Sequence, residues 1–505
     1  MNRFGFLFLM SGAVIGLSYL AADISLLDDD WGHLKLASKG IYFALTTGWE
    51  GLVGEGGYYR PVVVLTFYFN YLLGGFDPAG YHVLNVLIHV MCAGLVFVLG
   101  RQLGLVQWVC VGGSALFLVL PIHTDSVFWI VGRTDTICAL FYLGSLIVFL
   151  MLLDAWAVWK LVLLVICAGL AFLSKEMALS LPGLLLILAG YRNRLTSRNA
   201  IWGVGLVGVI MLMYFAVRWL VLGGIFVGTS SIQFSIWRWG IDLVKSFAKF
   251  GMTDLRWFGG VVLAATGILF FFRYREHGVL QRFLPFGLTV LCVLSLVPVL
   301  GHLHNWYVYI PSAFFRLLVA DVWLSRSQRF FSFLFAILLL YYAGVLVREG
   351  FLWRETSQLS ETFVAEVLPY AQNTDGRLFV LNTPSALTPE HSLSGKPLFA
   401  FALENALLMR SKEPVLADVV MVNHIWLMGQ STTCKVERDG NLFRLVMVDG
   451  GYFSFHNGQA LNPPFELDRD WGTVRVLSRY ILSVDIDVQQ DDRVVFFDGI
   501  GLKHF

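Results

Sequence analysis

Three consecutive carboxylates, Asp28, Asp29 and Asp30, follow a long apolar run and precede Trp31. Adjacent carboxylates repel one another, so at least one should titrate above its usual range unless cations neutralise the group. Packing gains nothing from such a cluster, and a solvated acidic linker is the plain alternative. Other polar residues recur at the ends of apolar segments: Arg60 before Pro61, then His82, Asn85 and His89, then His123 and Asp125. Arg133 with Asp135, Lys175 with Glu176, and His302, His304 and Asn305 with Tyr307 and Tyr309 complete the series. Ionisable groups at a hydrocarbon boundary are costly, and their default reading is functional. His82, Asn85 and His89 fall at i, i+3 and i+7, one face of a helix. That face could hold zinc, but no H-E-x-x-H pattern accompanies it, and interhelical hydrogen bonding is the favoured reading. Arg133–Asp135 and Lys175–Glu176 fit ion pairs closing helix ends equally well. Together the clusters describe a cavity for an anionic headgroup, with carboxylates at hand to move a proton.

The elements that must position these residues are membrane spans. Of 505 residues, 57% are hydrophobic, 15% aromatic and only 14% charged, with a mean hydropathy of +0.70. That composition belongs to a multi-span membrane protein. A net charge of +1 with no basic stripe excludes nucleic acid as a partner. Five of the six cysteines lie in apolar spans and read as small buried hydrophobes; Cys434, in the polar tail, has no evident disulfide partner. Residues 4–22 read as an uncleaved first span rather than a signal peptide, because no convincing cleavage site precedes the acidic cluster.

About eleven segments approach the length needed to cross the hydrocarbon: 4–22, 80–100, 107–121, 134–153, 158–174, 176–190, 200–222, 257–273, 283–299, 306–324 and 330–347. With a cytoplasmic N-terminus, the inside loops hold Arg101; Lys160; Arg192, Arg194 and Arg198; Arg273, Arg275 and Arg282; and Arg326 and Arg329. Every compact basic loop then lies on one side, as the positive-inside rule requires. The acidic triplet and the polar clusters fall on the opposite side. Residues 60–75 are too short to span and read as a helix along the outer interface, as does the amphipathic segment 237–250. From about Phe351 short apolar runs alternate with polar residues, as in Arg377–Leu381 and Asn441–Val448. Asp439-Gly440 reads as a hairpin turn, and Phe399–Arg410 as a helix. Two domains are expected: a transmembrane domain over 1–350 and a strand-rich, extracytoplasmic α/β domain over 351–505.

These stretches resemble a known family, the integral-membrane GT-C glycosyltransferases that use polyprenyl-phosphate sugars. The match is closest to the transmembrane O-mannosyltransferases with TPR repeats and their bacterial relatives. It rests on Asp28-Asp29-Asp30-Trp31, Tyr59-Arg60-Pro61 with 69–75, and Gly80–His89. His123–Val127 leading to Gly132–Asp135, Lys175-Glu176 and Tyr307–Ser312 complete it. Order and spacing agree over residues 1–350. The tail departs from the family, since helical repeats are replaced by a strand-rich domain, and this leaves the acceptor open.

The resemblance implies a GT-C fold and inverting transfer of a sugar from a polyprenyl-phosphate donor to a hydroxyl or amine at the outer membrane face. It implies an acidic catalytic base, placed at Asp29, with Asp30 and then Asp28 next in line. Arg60, Arg133 and Lys175 would meet the donor phosphate, with His302, His304 and Tyr307 adding hydrogen bonds. His82, Asn85, His89, His123, Asp125, Asp135 and Glu176 form the supporting polar cluster. No metal or other cofactor is required by such a donor; a diphosphate donor would call for a divalent cation. Expected partners are the lipid-linked sugar, a protein, glycan or lipid acceptor, and membrane lipids. A cysteine-poor tail without an N-x-Ser/Thr sequon favours a bacterial inner membrane with a periplasmic site; an ER membrane with a lumenal site is the alternative. A transporter, flippase or non-catalytic binder of lipid-linked sugars is the rival class, although no inverted symmetry shows in the sequence.

Overall fold

The computed structural model describes residues 3–46, 49–50, 57–224, 236–250, 256–276, 279–300, 303–324, 329–390, 392–399, 402–411, 414–415, 417–429, 432–454 and 464–505. The helices are α1 (Arg3–Ala21), α2 (Asp29–Ser38), α3 (Ile41–Thr46), α4 (Pro61–Gly74), α5 (Pro78–Gln102) and α6 (Gln107–Leu118). They continue as α7 (Thr124–Val127), α8 (Arg133–Asp154), α9 (Val158–Phe172), α10 (Leu181–Tyr191), α11 (Arg198–Leu222) and α12 (Ile236–Phe250). Then come α13 (Arg256–Glu276), α14 (Val279–Leu296), α15 (Tyr309–Leu324), α16 (Arg329–Gln372) and α17 (Leu403–Arg410). The chain divides into two compact units, one of residues 1–22 and 36–350, the other of residues 23–35 and 351–505.

The first unit is helical. Each of the eleven apolar segments read from the sequence falls on helix. Among the described residues, five helices are long and apolar enough to cross a membrane, or six if the bent pair at residues 107–127 is one span. Local signals set the boundaries. Pro78 stands at the first position of α5, where its missing N–H costs nothing, and the Asp77 side chain accepts from Ala79 N. Ser197 caps α11 in the same way, and Gly223 ends that helix at a φ of 73°. Small residues set the close packing. A Cβ on Gly113 would lie 3.2 Å from Leu317 Cα and 3.3 Å from Arg316 O, so α6 and α15 touch backbone to backbone there.

Fourteen residues make α4, which begins at Pro61. Its first free N–H, that of Val62, donates to Leu173 O at 3.4 Å, which docks the start of α4 against the end of α9. Two short strands, β1 (Trp49–Glu50) and β2 (Gly57–Tyr58), pair just before it.

Strands dominate the second unit. β3 (Arg377–Leu381), β4 (Thr383–Thr388), β5 (Lys396–Pro397), β6 (Asp418–Met421), β7 (His424–Met428) and β8 (Thr433–Asp439) come first. β9 (Leu442–Asp449), β10 (Gly451–Ser454), β11 (Phe465–Arg469), β12 (Gly472–Ser478), β13 (Ile481–Ile486), β14 (Arg493–Phe497) and β15 (Leu502–His504) follow. They form three sheets, ordered β10-β7-β4-β5, β11-β12-β13-β9-β8 and β15-β14-β3-β6. β3 lies parallel to both β14 and β6; its burial on both faces explains its continuous apolar sequence. β8 and β9 are joined through Asp439-Gly440, with Gly440 at a φ of 61°, the turn read from the sequence. Buried Cys434 is free, and burial pushes its thiol up to about 11, so it is inert.

Candidate active site

In the helical unit the polar residues sort into three groups. The first is charged. Lys175 Nζ donates to both oxygens of Asp135, at 2.7 and 2.6 Å, with both side chains almost fully buried. The Tyr307 ring lies 4.7 Å from the ammonium. Arg60 Nη2 donates to Glu176 Oε2 at 2.8 Å, and Arg218 Nη1 donates to the other oxygen, Oε1, at 3.0 Å. Tyr58 sits beneath the Arg60 guanidinium at 4.3 Å. Burial works against the Arg60 charge, but Glu176 more than offsets it and raises the pKa, so the side chain stays cationic. Arg60 is also within electrostatic reach of Asp135, Lys175 and Tyr307, which makes the two pairs one cluster.

Among the described residues the ion pairs of this cluster join three cations, Arg60, Lys175 and Arg218, to two carboxylates, Asp135 and Glu176. It also keeps donors in hand. Arg60 Nε is buried and finds no hydrogen-bond partner among the described residues. Lys175 gives two hydrogen bonds to Asp135, leaving its third N–H for another acceptor. Such N–H groups in a largely buried cluster can donate to an anion.

The second group is neutral scaffolding around Arg133. That guanidinium is fully buried and donates to Asn85 Oδ1 at 2.8 Å, Asn70 Oδ1 at 2.7 Å, Tyr81 O at 2.9 Å and Thr66 Oγ1 at 3.4 Å. It also stacks near Phe67, 4.5 Å away. The Asn85 amide donates to Val127 O and Ile130 O, closing the turn before α8. Arg133 therefore ties α4, α5 and α8 together. The sequence reading set it beside a donor phosphate; in the structure each of its three nitrogens has a protein acceptor.

The third group is an imidazole and aromatic cluster. His89 Nε2 donates to Leu118 O at 3.1 Å, so its Nδ1 accepts from the Tyr309 hydroxyl at 2.6 Å. Ser312 Oγ donates to Tyr309 O and accepts from His123 Nε2 at 2.9 Å. The hydrogen-bonding reading of the α5 face thus describes Asn85 and His89; His82 is buried on the same helix. Asn305 Nδ2 donates to Asp125 Oδ2 at 3.2 Å, and His304 stacks on Trp306 with centroids 4.5 Å apart. His302 lies outside the described residues.

The acidic triplet belongs to the other unit. Asp28 has a φ of 38°, unusual for a residue with a side chain, and its N–H donates to Leu398 O at 3.0 Å. Asp30 is 1% exposed. Its carboxylate reaches back to Leu27 N at 2.9 Å while its own N–H donates to Leu27 O, a reciprocal cap that starts α2. Asp29 is the most exposed of the three. Its carbonyl accepts from His33 Nδ1 at 3.0 Å.

No family model matches the chain. The fruit-fly (Drosophila melanogaster) protein O-mannosyl-transferase Tmtc1 is 38% identical over 129 residues, 25% of this chain and 15% of that protein. The human (Homo sapiens) protein O-mannosyl-transferase TMTC4 is 44% identical over 101 residues, 17% of this chain and 14% of that protein. The chain is similar to protein O-mannosyl-transferases. This bears out the resemblance read from the motifs, although the chain spans only about 15% of the length of these relatives. Among solved structures, ArnT from Cupriavidus metallidurans bound to undecaprenyl phosphate aligns with a TM-score of 0.49 at 12% identity, over 87% of this chain and 97% of that one.

Sequence reasoning missed Arg218 and Tyr214, whose hydroxyl accepts from Arg218 Nη1 at 3.2 Å. The signal was present: a lone arginine inside an apolar span, one turn after a tyrosine, with no pairing residue in its own segment. It also passed over His33, Tyr58 and the side chains of Thr66 and Asn70.

Proposed function

We propose that this chain is a GT-C glycosyltransferase that moves a sugar from a polyprenyl-phosphate donor to a hydroxyl or amine acceptor, with inversion. In this reading it is an integral membrane protein crossing the bilayer about eleven times, its acidic loop and tail on the outer face. The supporting observation is the Arg60–Glu176–Arg218 and Lys175–Asp135 cluster, with the Arg60 Nε and the third Lys175 N–H left over as donors among the described residues. The similarity to protein O-mannosyl-transferases makes mannose the first sugar to test.

Asp29 takes the proton as the acceptor oxygen or nitrogen attacks the anomeric carbon. The bond from that carbon to the phosphate oxygen breaks, and its electron pair leaves with the lipid phosphate. The phosphate carries one charge before transfer and about two after it, so Arg60 and Lys175 bind the leaving state more strongly than the donor. Asp135 and Glu176 aim these cations and keep them from overbinding the donor. Arg133 acts through α4, holding the helix that begins beside Arg60.

Asp29→Asn retains size but cannot accept the proton. Base catalysis is worth roughly 10²–10⁴ in rate, so turnover should fall by about that factor with donor affinity unchanged. Arg60→Ala should weaken both affinity and rate. Undecaprenyl-phosphate mannose in nanodiscs is the first donor to assay, with glycan and lipid mass spectrometry of cells lacking the gene to find the acceptor. Full transfer by Asp29→Asn, Asp30→Asn and the triple Asn variant at equal expression would remove this cluster from catalysis. Sugar lipid moved across the bilayer without bond cleavage would mark a flippase.

A further inference from the structure

Residues 23–35 fold as part of the strand-rich unit, although more than 300 residues of sequence separate them from it. The attachment is made at five places. Ser357 Oγ on α16 accepts from Ser25 N at 2.6 Å and bonds Ser25 Oγ at 2.7 Å. Leu398 O, just beyond β5, accepts from Asp28 N at 3.0 Å. Lys35 Nζ donates to Asn405 Oδ1 on α17 at 2.7 Å, and Asn405 is 3% exposed. Arg410, at the end of α17, lies 5.4 Å from the ring of Trp31 while pairing with Glu361 on α16 at 2.7 Å. Arg354 on α16 pairs with Asp23 at 3.4 Å.

These contacts bracket the acidic triplet from both ends and grip it in the middle. They grip the backbone of Asp28 and the side chains that flank the triplet. The Leu398 contact falls on Asp28, the residue with the left-handed backbone, and a non-glycine residue in that region persists only where its surroundings hold it there. A loop needing only to link a span to the next element would not require buried side-chain partners from α16 and α17.

We propose that the C-terminal domain is the mount of the acidic loop: Ser357, Asn405 and Arg410 are positioning residues that fix Asp29 for proton transfer. This rests on the reading of Asp29 as the base. In this reading the domain takes part in turnover rather than serving as a detachable appendage. Because a misplacement of about 1 Å can cost about 10²-fold in rate, loss of one anchor should be felt in kcat.

The test uses the full chain in nanodiscs with undecaprenyl-phosphate mannose. Asn405→Leu and Lys35→Met should each lower kcat about 10-fold, leave the donor KM within about twofold, and combine without adding, because they remove one shared bond. Lys35→Arg, which keeps a donor for Asn405, should restore most of the rate. Independently, Ser25→Cys with Ser357→Cys should form a disulfide on mild oxidation, and the oxidised form should turn over as fast as the reduced one. Unchanged kcat in the Lys35→Met, Asn405→Leu double variant would overturn the proposal, as would failure to cross-link or loss of activity on cross-linking. If Asp29→Asn itself keeps full turnover, the base assignment fails instead, and the cross-link alone judges whether the loop is mounted on the domain.

Discussion

Asp135 and Lys175 offer the sharpest test of whether the charged cluster is structural or functional. The pair is bidentate and both side chains are 4% exposed, so neither ion can turn to water when the other is removed. Breaking a buried pair from one side costs about 3–5 kcal/mol, whereas replacing both partners by apolar groups is often neutral or stabilising. Asp135→Leu should therefore destabilise by about 3–5 kcal/mol, Lys175→Met by a comparable amount, and the double variant by far less than the sum. Thermal aggregation of the purified protein in one detergent, at matched concentration, gives the stability order. Turnover then separates the roles. Removing one preorganised donor from developing negative charge costs about 10²–10³ in kcat, so the double variant should be stable and slow. Additive destabilisation would show that the two groups are not coupled. A stable double variant with full turnover would remove Lys175 from the leaving phosphate.

Three further outcomes follow from the geometry. Arg133→Lys keeps the charge but cannot reach Asn85, Asn70, Thr66 and Tyr81 at once; with each lost bond to a charged group worth about 1.5–3 kcal/mol, expression and thermal stability should drop sharply. Gly132→Ala would place a Cβ 2.6 Å from Asp125 O and 2.7 Å from Ser126 Cα, so it should destabilise by about 1–3 kcal/mol in the same aggregation assay. In the tail, burial opposes the Asp492 charge, but Arg377 at 2.8 Å and the amides of Arg377 and Gln489 outweigh it and hold the carboxyl below its ordinary value. A depressed carboxyl stabilises the fold above its unfolded pKa of about 3.9 and loses that contribution as pH falls below it. Urea unfolding read by pulsed hydrogen exchange across β3 and β14 should therefore show acid sensitivity below about pH 4, which Asp492→Asn abolishes.

Hydrophobic periodicity made the eleven helical segments and the strand-rich tail legible, because each is a local pattern. Span length was less legible: α6, α9 and α10 are short, and composition alone does not say whether a 12-residue apolar helix crosses a bilayer. Residue identity at the boundaries found Arg60, Lys175, Asp135, Glu176 and Tyr307, but not their pairing. The sequence neighbours Lys175 and Glu176 take different partners, Asp135 from α8 and Arg60 with Arg218, and adjacency suggested instead that they pair with each other. Arg133 and Asp135, also read as a pair, separate in the same way. Arg218 was hidden because a single cation in an apolar span gives no clue to its partner. The home of the acidic triplet was beyond any local pattern, since its contacts come from residues 354–410.

The polar residues of the helical unit differ in the charge of their partners. Asn85, His89, His123 and Arg133 meet carbonyls, amides and hydroxyls, which fix geometry without supplying or absorbing net charge. Arg60, Lys175 and Arg218 meet carboxylates, three cations on two carboxylates among the described residues. Charges held in a largely buried cluster are costly unless they are paired. The neutral scaffold holds these cations in place. Arg133 pins Thr66 and Asn70 of α4, the helix that starts directly after Arg60, and the Val62 N–H fastens that start to Leu173, two residues before Lys175. The two cations therefore cannot move apart to relieve their repulsion without breaking the clamp, which is the preorganisation the proposed phosphate contact needs.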